Sequence, residues 1–154
     1  MIGYRKARAE DAERIGVVDR DAFVDSPYGE KTGLAEDPEK QRSRQENAQD
    51  FCKRRPDWVF VAEEHDTVVG FATLEYWPEK RAGRIENNAV LPEYRGHGIS
   101  TELVGRALDE LRLLGARSAA VHTSHVPAAC RAYEKAGFRI EKREGEHSYY
   151  RIEL

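Results

Sequence analysis

The chain has 154 residues, which is the size of one ordinary domain and enough to bury a hydrophobic core. Hydrophobic residues make up 40% and charged residues 34%, a globular composition that argues against intrinsic disorder. The 28 acidic and 25 basic residues give a net charge of −3, so the chain as a whole has no attraction for nucleic acid or an anionic membrane.

The sequence contains no apolar run near the roughly 20 residues that cross a bilayer, and its first residues lack the apolar core of a secretory signal. Its two cysteines, Cys52 and Cys130, show neither a CxxC nor a zinc-ligand spacing. We therefore expect a cytoplasmic protein with free thiols, no metal site and no membrane partner.

The first part of the chain predicts one strand and two helices. Residues 3–8 predict a short strand, and apolar residues at helical spacing follow Glu10 and Asp11. Apolar residues become sparse over 25–57, where residues 38–54 predict a charged helix with little surface to bury. We expect that segment to be mobile or to rest on a partner molecule.

The remainder predicts a sheet with two further helices. Its expected strands are short runs bounded by turn residues: 58–62, 68–76, 84–91, 118–123, 138–142 and 148–154. One helix is predicted over 99–114 with Gly115 as its end, and another from Pro127 to Gly137. Hairpins precede a strand–helix–strand unit, so we expect a mixed α/β or α+β sheet in one domain over residues 1–154.

The joint between the strand over 84–91 and the following helix is the most informative stretch. Residues 90–101 read Val-Leu-Pro-Glu-Tyr-Arg-Gly-His-Gly-Ile-Ser-Thr. Gly96 and Gly98 allow the backbone to approach a ligand closely, and the helix N-terminus presents unpaired N–H groups that suit a pyrophosphate. On the glycines alone, a strand–helix turn that binds no ligand is slightly favoured.

That balance changes when residues 90–101 are considered together with two further motifs. Residues 90–101 resemble the acyl-CoA-binding motif of the GNAT superfamily of N-acetyltransferases, with Arg95 and Gly98 in place and Ser100 where the family has Gly or Ala. Residues 129–138 resemble the family helix that ends in Tyr-Glu-Lys-x-Gly-Phe, and residues 68–74 resemble its third strand. The three matches occur in the family's order, and the resemblance is strong from about residue 58 to residue 139.

The resemblance implies a single domain with a mixed, mostly antiparallel central sheet that splays open in a V, flanked by about four helices. The pantetheine arm of acetyl-CoA would lie in that V and pair with the strand backbone, while the loop amides would hold the pyrophosphate. The implied cofactor-binding residues are Asn88, Ala89, Val90, Arg95, Gly96, His97, Gly98, Ile99, Ser100 and Thr101.

The resemblance also implies catalytic residues. Tyr133 matches the family tyrosine that protonates the departing thiolate, with a core-facing helix aromatic as the alternative. Glu86 lies where family members often place a carboxylate that accepts the amine proton directly or through water, with a solvated strand residue as the alternative. His122, His125 or water remain alternative bases. Many relatives carry Asn at the place of Val126, and this chain does not.

We therefore expect an acyl-CoA-dependent N-acetyltransferase with acetyl-CoA as co-substrate and a small-molecule or protein amine as acceptor. Four acidic residues of the variable region would suit a cationic amine: Asp25, Glu30, Glu36 and Asp37. The alternative is a non-catalytic acyl-CoA sensor or interaction module. Dimers are frequent among relatives, so the resemblance leaves a homodimer open.

Overall fold

A computed structural model describes residues 1–124 and 127–154. Within them, seven strands form one sheet: β1 (Gly3–Lys6), β2 (Val59–Glu64), β3 (Thr67–Trp77), β4 (Ala82–Val90), β5 (Ser118–Ser124), β6 (Arg139–Glu144) and β7 (His147–Glu153). Five α-helices flank it in the same ranges: α1 (Ala12–Val24), α2 (Pro27–Thr32), α3 (Pro38–Arg54), α4 (Ile99–Leu114) and α5 (Pro127–Lys135). No helix of the described ranges has the length and apolar character needed to cross a membrane.

The strand order is β1-β2-β3-β4-β5-β7-β6. Every neighbouring pair is antiparallel except β4 and β5, which run parallel. A short hairpin cannot join parallel strands, so the chain crosses from β4 to β5 through α4. The predicted mixed, mostly antiparallel sheet is confirmed.

The helices cover both faces of the sheet. On one face α1 packs against β3 and β4 and carries α3, while α4 packs against β2, β3 and β4. Gly83 of β4 contacts Leu111 of α4, whereas the next residue, Arg84, reaches Glu75 on the opposite face. Because both faces are covered, residues 68–74 of β3 form a continuous buried run rather than an alternating one.

The bounds of α4 agree with the sequence prediction. Its buried stripe includes Leu103, Ala107 and Leu111, which recur at three- to four-residue spacing. The helix begins after Gly98 and ends before Gly115, whose φ angles are 78° and 103°. Such left-handed conformations favour glycine, so the start and end signals read from the sequence are confirmed.

The bounds of α3 are also as predicted, but the expectation that it is mobile or rests on a partner is wrong. It packs along α1 and buries Ala48 and Cys52, which are 8% and 0% exposed. A polar link adds to this, because Arg44 of α3 donates two hydrogen bonds of 3.1 and 3.2 Å to the buried carboxylate of Asp19 in α1. The guanidinium also stacks over the Phe23 ring at 3.9 Å.

The short helix α2 is absent from the sequence prediction and raises the expected number of helices from about four to five among the described residues. Ser26 caps its start by accepting a hydrogen bond of 3.1 Å from the Gly29 amide, and Pro27 occupies its first turn. Gly33 ends it with a φ of 73°. Each of these is an ordinary helix signal, although apolar periodicity is missing from the segment.

The pair between Asp19 and Arg44 generates a stability prediction. Burial raises the pKa of Asp19, and the charge of Arg44 opposes that rise. Arg44→Met leaves a carboxylate unpaired in the interior, so we expect the free energy of unfolding in urea to fall by about 3 kcal/mol. Asp19→Asn keeps the shape and removes the buried charge, so its loss should be smaller. A larger loss in Asp19→Asn than in Arg44→Met would contradict this account.

Candidate active site

The sheet opens between β4 and β5. Among the described residues these strands pair only where Ala82–Arg84 face Ser118–Ala120. Farther along, β4 stays paired with β3 as far as Val90, whereas β5 stays paired with β7 as far as Ser124. The second halves of β4 and β5 therefore diverge, and the predicted V is confirmed. We call the space between them the gap.

A β-bulge lies in β4 where the strands part. The register of β3 against β4 shifts between Ala72 and Leu74, so Glu86 and Asn87 both stand opposite Thr73. The Asn87 amide donates to Thr73 Oγ1 at 3.0 Å. A bulge bends its strand and increases the local twist. Here both bulge residues line one cavity on the face that α1 and α3 cover.

The backbone of β4 presents polar groups to the gap. The Leu91 amide donates to the Val69 carbonyl at 2.9 Å. Because peptide groups alternate in direction along an antiparallel ladder, Ala89 turns its N–H and C=O toward β3. Asn88 and Val90 turn theirs toward the gap. The sequence predicts that Asn88, Ala89 and Val90 contact a cofactor arm. Asn88 and Val90 have backbone groups placed to do so, whereas those of Ala89 face β3.

The loop between β4 and α4 gathers amides at one end of the helix. Gly96 and Gly98 have φ angles of 81° and 78°, which other residues adopt only with strain. No side chain of the described residues caps the start of α4, so its first N–H groups lack an acceptor from a side chain. His97 and Thr101 are exposed beside these amides. Ile99 is 2% exposed and packs into the core, so only its backbone is available to a ligand.

The guanidinium of Arg95 donates hydrogen bonds to backbone carbonyls of the fold. Nη1 donates to the Asp25 carbonyl at 2.8 Å, and Nη2 donates to the Ala22 carbonyl at 2.7 Å. Both carbonyls belong to the C-terminal end of α1, which carries partial negative charge. The side chain therefore ties the loop to α1, whereas the resemblance implies a direct contact of Arg95 with the cofactor.

Tyr133 of α5 is buried beside the gap, with 8% exposure. Its ring packs edge-on against Phe138 at 5.8 Å and lies 6.4 Å from the Tyr150 ring, both between centroids. Burial raises the pKa of Tyr133 above the usual 10.0, and the nearby polar side chain of Asn88 opposes that rise. A phenol with a raised pKa keeps its proton at neutral pH, which suits a proton donor.

The Asn88 side chain connects β4 to α4. Its Nδ2 donates to Ser100 Oγ at 2.6 Å. Its Oδ1 is buried and has no hydrogen-bond partner among the described residues. The sequence predicts both Asn88 and Ser100 as cofactor-binding residues but gives no sign of a contact between their side chains. Their side-chain contact joins residues 12 positions apart, and no local signal marks it.

A cavity of about 430 Å³ opens on the face of α1 and α3. Its charged lining consists of four carboxylates and two guanidinium groups: Asp19, Asp50, Glu75, Glu86, Arg44 and Arg54. None of the four acidic residues that the sequence suggested for an acceptor pocket lines this cavity: Asp25, Glu30, Glu36 and Asp37. The acidic wall therefore comes from the sheet and from the facing sides of two helices.

Glu86 sits on the cavity wall as a partly exposed carboxylate. Its Oε2 lies 2.6 Å from Arg84 Nε, an ion pair without hydrogen-bond geometry, and its side chain is 33% exposed. Arg84 also contacts Glu75 at 3.4 Å. The predicted base is thus held in position by a neighbouring cation at the edge of a space that a substrate could enter.

The structure describes the position of one of the two histidines predicted as alternative bases. Val121 pairs with Tyr150 on the face where Tyr133 packs, so the next residue, His122, lies on the opposite face, stacked on Tyr149 at 5.5 Å. His125 and Val126 lie outside the described residues. Within residues 1–124 and 127–154, no group of three or more His, Cys, Asp or Glu side chains could hold a metal ion.

The sequence matches the Acetyltransferase (GNAT) family over residues 21–138. N-alpha-acetyltransferase 30 of Schizosaccharomyces pombe is 32% identical over 97 residues, which cover 60% of this chain and 65% of that protein. An uncharacterized N-acetyltransferase of Archaeoglobus fulgidus is 36% identical over 64 residues, which cover 38% of this chain and 44% of the relative. The chain thus spans less than two thirds of the length of these curated relatives.

Solved structures share the fold along the whole chain. A crystal structure of a protein from Pyrococcus horikoshii has a TM-score of 0.80 at 23% identity and covers 100% of this chain and 99% of its own. The PaiA N-acetyltransferase of Thermoplasma acidophilum, in complex with coenzyme A, has a TM-score of 0.80 at 19% identity, with coverage of 100% and 99%. At identities of 23% and 19%, the similarity to these structures shows a shared fold and nothing further.

The left-handed loop before α4 generates a second stability prediction. A Cβ at Gly98 would meet no atom within 4 Å, so Gly98→Ala costs only the strain of its φ angle. We expect the free energy of unfolding in urea to fall by about 1–2 kcal/mol. Gly105→Ala is the matched control, since a Cβ there is also free of contacts but the residue is helical. It should raise stability by about 0.5–1 kcal/mol, and stabilisation by both changes would contradict the loop conformation.

Proposed function

Because the chain belongs to the GNAT family of acetyltransferases, we propose that it transfers an acetyl group from acetyl-CoA to an amine, with Tyr133 as proton donor and Glu86 as proton acceptor. Acetyl-CoA supplies an activated thioester, whose carbonyl carbon bonds to the amine nitrogen while its bond to sulfur breaks. The observation that carries the proposal is the gap, where β4 pairs with β3 on one side and has no partner strand on the other beyond Arg84.

The residues present in the gap fit an extended amide-containing arm. The N–H and C=O groups of Asn88 and Val90 are arranged like those of an edge strand, which an extended ligand can pair with in the manner of an added strand. Ala89 contributes through its position rather than through backbone hydrogen bonds, which it makes with β3. The Val90 N–H also donates to the carbonyl oxygen as negative charge develops there.

The start of α4 fits the pyrophosphate of the same ligand. Its free N–H groups and the positive end of the helix dipole favour an anion, and Gly96 and Gly98 give the loop before the helix its left-handed turns. Exposed His97 and Thr101 side chains border the site. Arg95 acts indirectly, because its bonds to the end of α1 hold the loop in place.

Proton movements complete the reaction. The amine reacts in its uncharged form, and the nitrogen gives up a proton to Glu86 directly or through water as the new bond forms. Tyr133 gives its own proton to the departing sulfur, so the products are an acetylated amine and the free thiol. Exchange with solvent then returns a proton from Glu86 to Tyr133. His122 is the alternative acceptor within the described residues, since it lies on the same face of the sheet as Glu86.

The acceptor enters from the cavity that Glu86 lines. Carboxylates outnumber guanidinium groups on its walls, which favours a cationic amine over an acidic one. A small polyamine-like molecule and the amino end of a peptide both meet this requirement. The match to N-alpha-acetyltransferase 30 of Schizosaccharomyces pombe supports including peptides among the candidates.

A cytoplasmic location is part of the proposal. Cys52 and Cys130 are both buried and unpaired. Burial raises the pKa of the Cys52 thiol to about 11, so this thiol stays protonated and unreactive at neutral pH. Free buried thiols are typical of a reducing compartment.

Tyr133→Phe separates chemistry from binding. It removes one hydroxyl, so we expect kcat to fall about 100-fold or more while the affinity for acetyl-CoA, measured by calorimetry, is unchanged. The acceptor is the best substrate from a panel of polyamines, aminoglycosides, peptides and neutral amines, with thiol release as the readout. Because burial raises the pKa of Tyr133 above 10.0, wild-type kcat/KM should not decline on the alkaline side below that pH.

Tyr76→Phe is the matched control, because Tyr76 lies at the far end of β3 beside Gly83, and it should keep full activity. Binding of acetyl-CoA without turnover for any amine would support a sensor and contradict the enzyme. Equal loss in both tyrosine variants would remove Tyr133 as proton donor. A preference for acidic or neutral amines in the panel would contradict the acceptor class.

A further inference from the structure

We propose that the acceptor is an α-amino acid with a second amine on its side chain, and that Asp50 and Arg54 of α3 select it. Asp50 accepts hydrogen bonds from the α-ammonium group, Arg54 binds the carboxylate, and the side-chain amine is acetylated. The inference rests on the proposed function, since it concerns the cavity through which the acceptor enters. It goes beyond that function by naming the class of acceptor and two specificity-determining residues.

Asp50 and Arg54 present opposite charges that the described part of the chain does not pair. Both line the cavity, and neither side chain forms an ion pair or a hydrogen bond with another described residue. The guanidinium of Arg54 lies over the Phe51 ring, 5.7 Å from its centroid. By contrast, Asp19 and Arg44 of the same lining are joined by an ion pair of 3.1 Å. One carboxylate and one guanidinium on the α3 wall are therefore available to a ligand.

The spacing of these two residues matches an α-amino acid. They are four positions apart in α3, so they lie on one side of the helix with about 6 Å between their Cα atoms. An α-amino acid carries its ammonium and carboxylate groups on one carbon, and a guanidinium donates two parallel hydrogen bonds to a carboxylate. One such head group can contact both side chains, whereas a simple diamine leaves Arg54 facing a cation.

The sheet wall of the cavity suits the second amine. Glu75 and Glu86 share one guanidinium, that of Arg84, at 3.4 and 2.6 Å. Two carboxylates and one guanidinium leave a net negative charge there, which attracts the ammonium form of a side-chain amine. The cavity volume of about 430 Å³ is ordinary for a small-molecule site. The walls therefore offer a partner for each of the three charged groups of a diamino acid.

This arrangement directs acetylation to the side-chain amine. Asp50 favours the charged form of the α-amine, and an ammonium group has no free electron pair with which to attack. The side-chain nitrogen reacts uncharged, bonding to the acetyl carbon while the carbon–sulfur bond breaks, and its proton passes to Glu86. Tyr133 gives its proton to the sulfur, as in the proposed function. The product therefore keeps a free α-ammonium group and a free carboxylate.

Matched acceptors test the class. Ornithine carries all three groups, putrescine lacks its carboxylate, and 5-aminopentanoate lacks its α-amine. Sets based on 2,4-diaminobutyrate and lysine repeat the comparison for a side chain one carbon shorter and one carbon longer. For the best of the three lengths, kcat/KM from thiol release should be about tenfold or more higher for the diamino acid than for either analogue. NMR of the product should place the acetyl group on the side-chain nitrogen.

Two variants assign the groups to residues. Arg54→Gln removes the partner of the carboxylate, so the preference for the diamino acid over its diamine should fall about tenfold, mainly through the KM of the acceptor. Asp50→Asn removes the partner of the α-ammonium, so the preference over the analogue without the α-amine should fall similarly. Lys53→Gln and Glu46→Gln are matched controls, because they make the same charge changes at exposed α3 positions outside the cavity lining. Both controls should keep both preferences.

Calorimetry with protein saturated by coenzyme A separates binding from turnover. The diamino acid should bind about tenfold or more tighter than its diamine, and Arg54→Gln should remove that difference. Equal binding and equal use of the two, a preference that both α3 variants retain, or a peptide preferred over every diamino acid would overturn the inference and leave the proposed function intact. Selective binding without acetylation of any amine would contradict the proposed function and uphold the inferred ligand. Neither binding nor turnover of any acceptor would overturn both.

Discussion

The parting of β4 from β5 is the constraint on which the rest of the structure depends. These strands form the only parallel pair of the described sheet, and they hold together over three residues of each strand. A bulge at Glu86 and Asn87 bends β4 just where the pairing ends. Without the parting, Asn88 and Val90 would pair with β5, and β4 would have no unpaired backbone for an extended ligand.

The same constraint separates the two proton transfers of the proposed reaction. The bulge turns Glu86 and Asn87 toward the cavity under α1 and α3, while Asn88 turns its side chain toward Ser100 on the other face. An amine that approaches from the cavity and a thiol that leaves beside Tyr133 then use opposite sides of one strand. A sheet closed by ordinary pairing would offer no such passage between its faces.

Parts of this arrangement follow from local sequence. The bounds of α4 are predicted correctly because apolar spacing and two glycines act within one helix. The packing of α3 is not, because an ion pair between Asp19 and Arg44 adds to the small apolar contact of Ala48 and Cys52, and apolar spacing does not mark that pair. The segment of α2 carries a capping serine, a proline and a terminal glycine. These signals define a short helix without apolar periodicity, so a prediction based on periodicity does not find it.

Some features of the candidate site also follow from local sequence, and others do not. The glycine loop and the position of Tyr133 on a helix follow from motifs, since each depends on neighbours in sequence. The bulge does not, because nothing in Glu86 or Asn87 themselves marks two residues opposite one on β3. The hydrogen bond from Asn88 to Ser100 and the bonds from Arg95 to the end of α1 join residues that only the tertiary fold brings together. The sequence alone therefore indicated other roles for these residues.

The central claim is that the gap binds the arm of acyl-CoA through the outward-facing backbone of β4. Amide hydrogen exchange measured by NMR, with and without coenzyme A, tests it residue by residue. The account predicts that the Asn88 and Val90 amides exchange readily in the free protein and become protected when coenzyme A is added. The Ala89 amide, which faces β3, should be protected in both states. Unchanged exchange at Asn88 and Val90 with saturating coenzyme A would contradict the account.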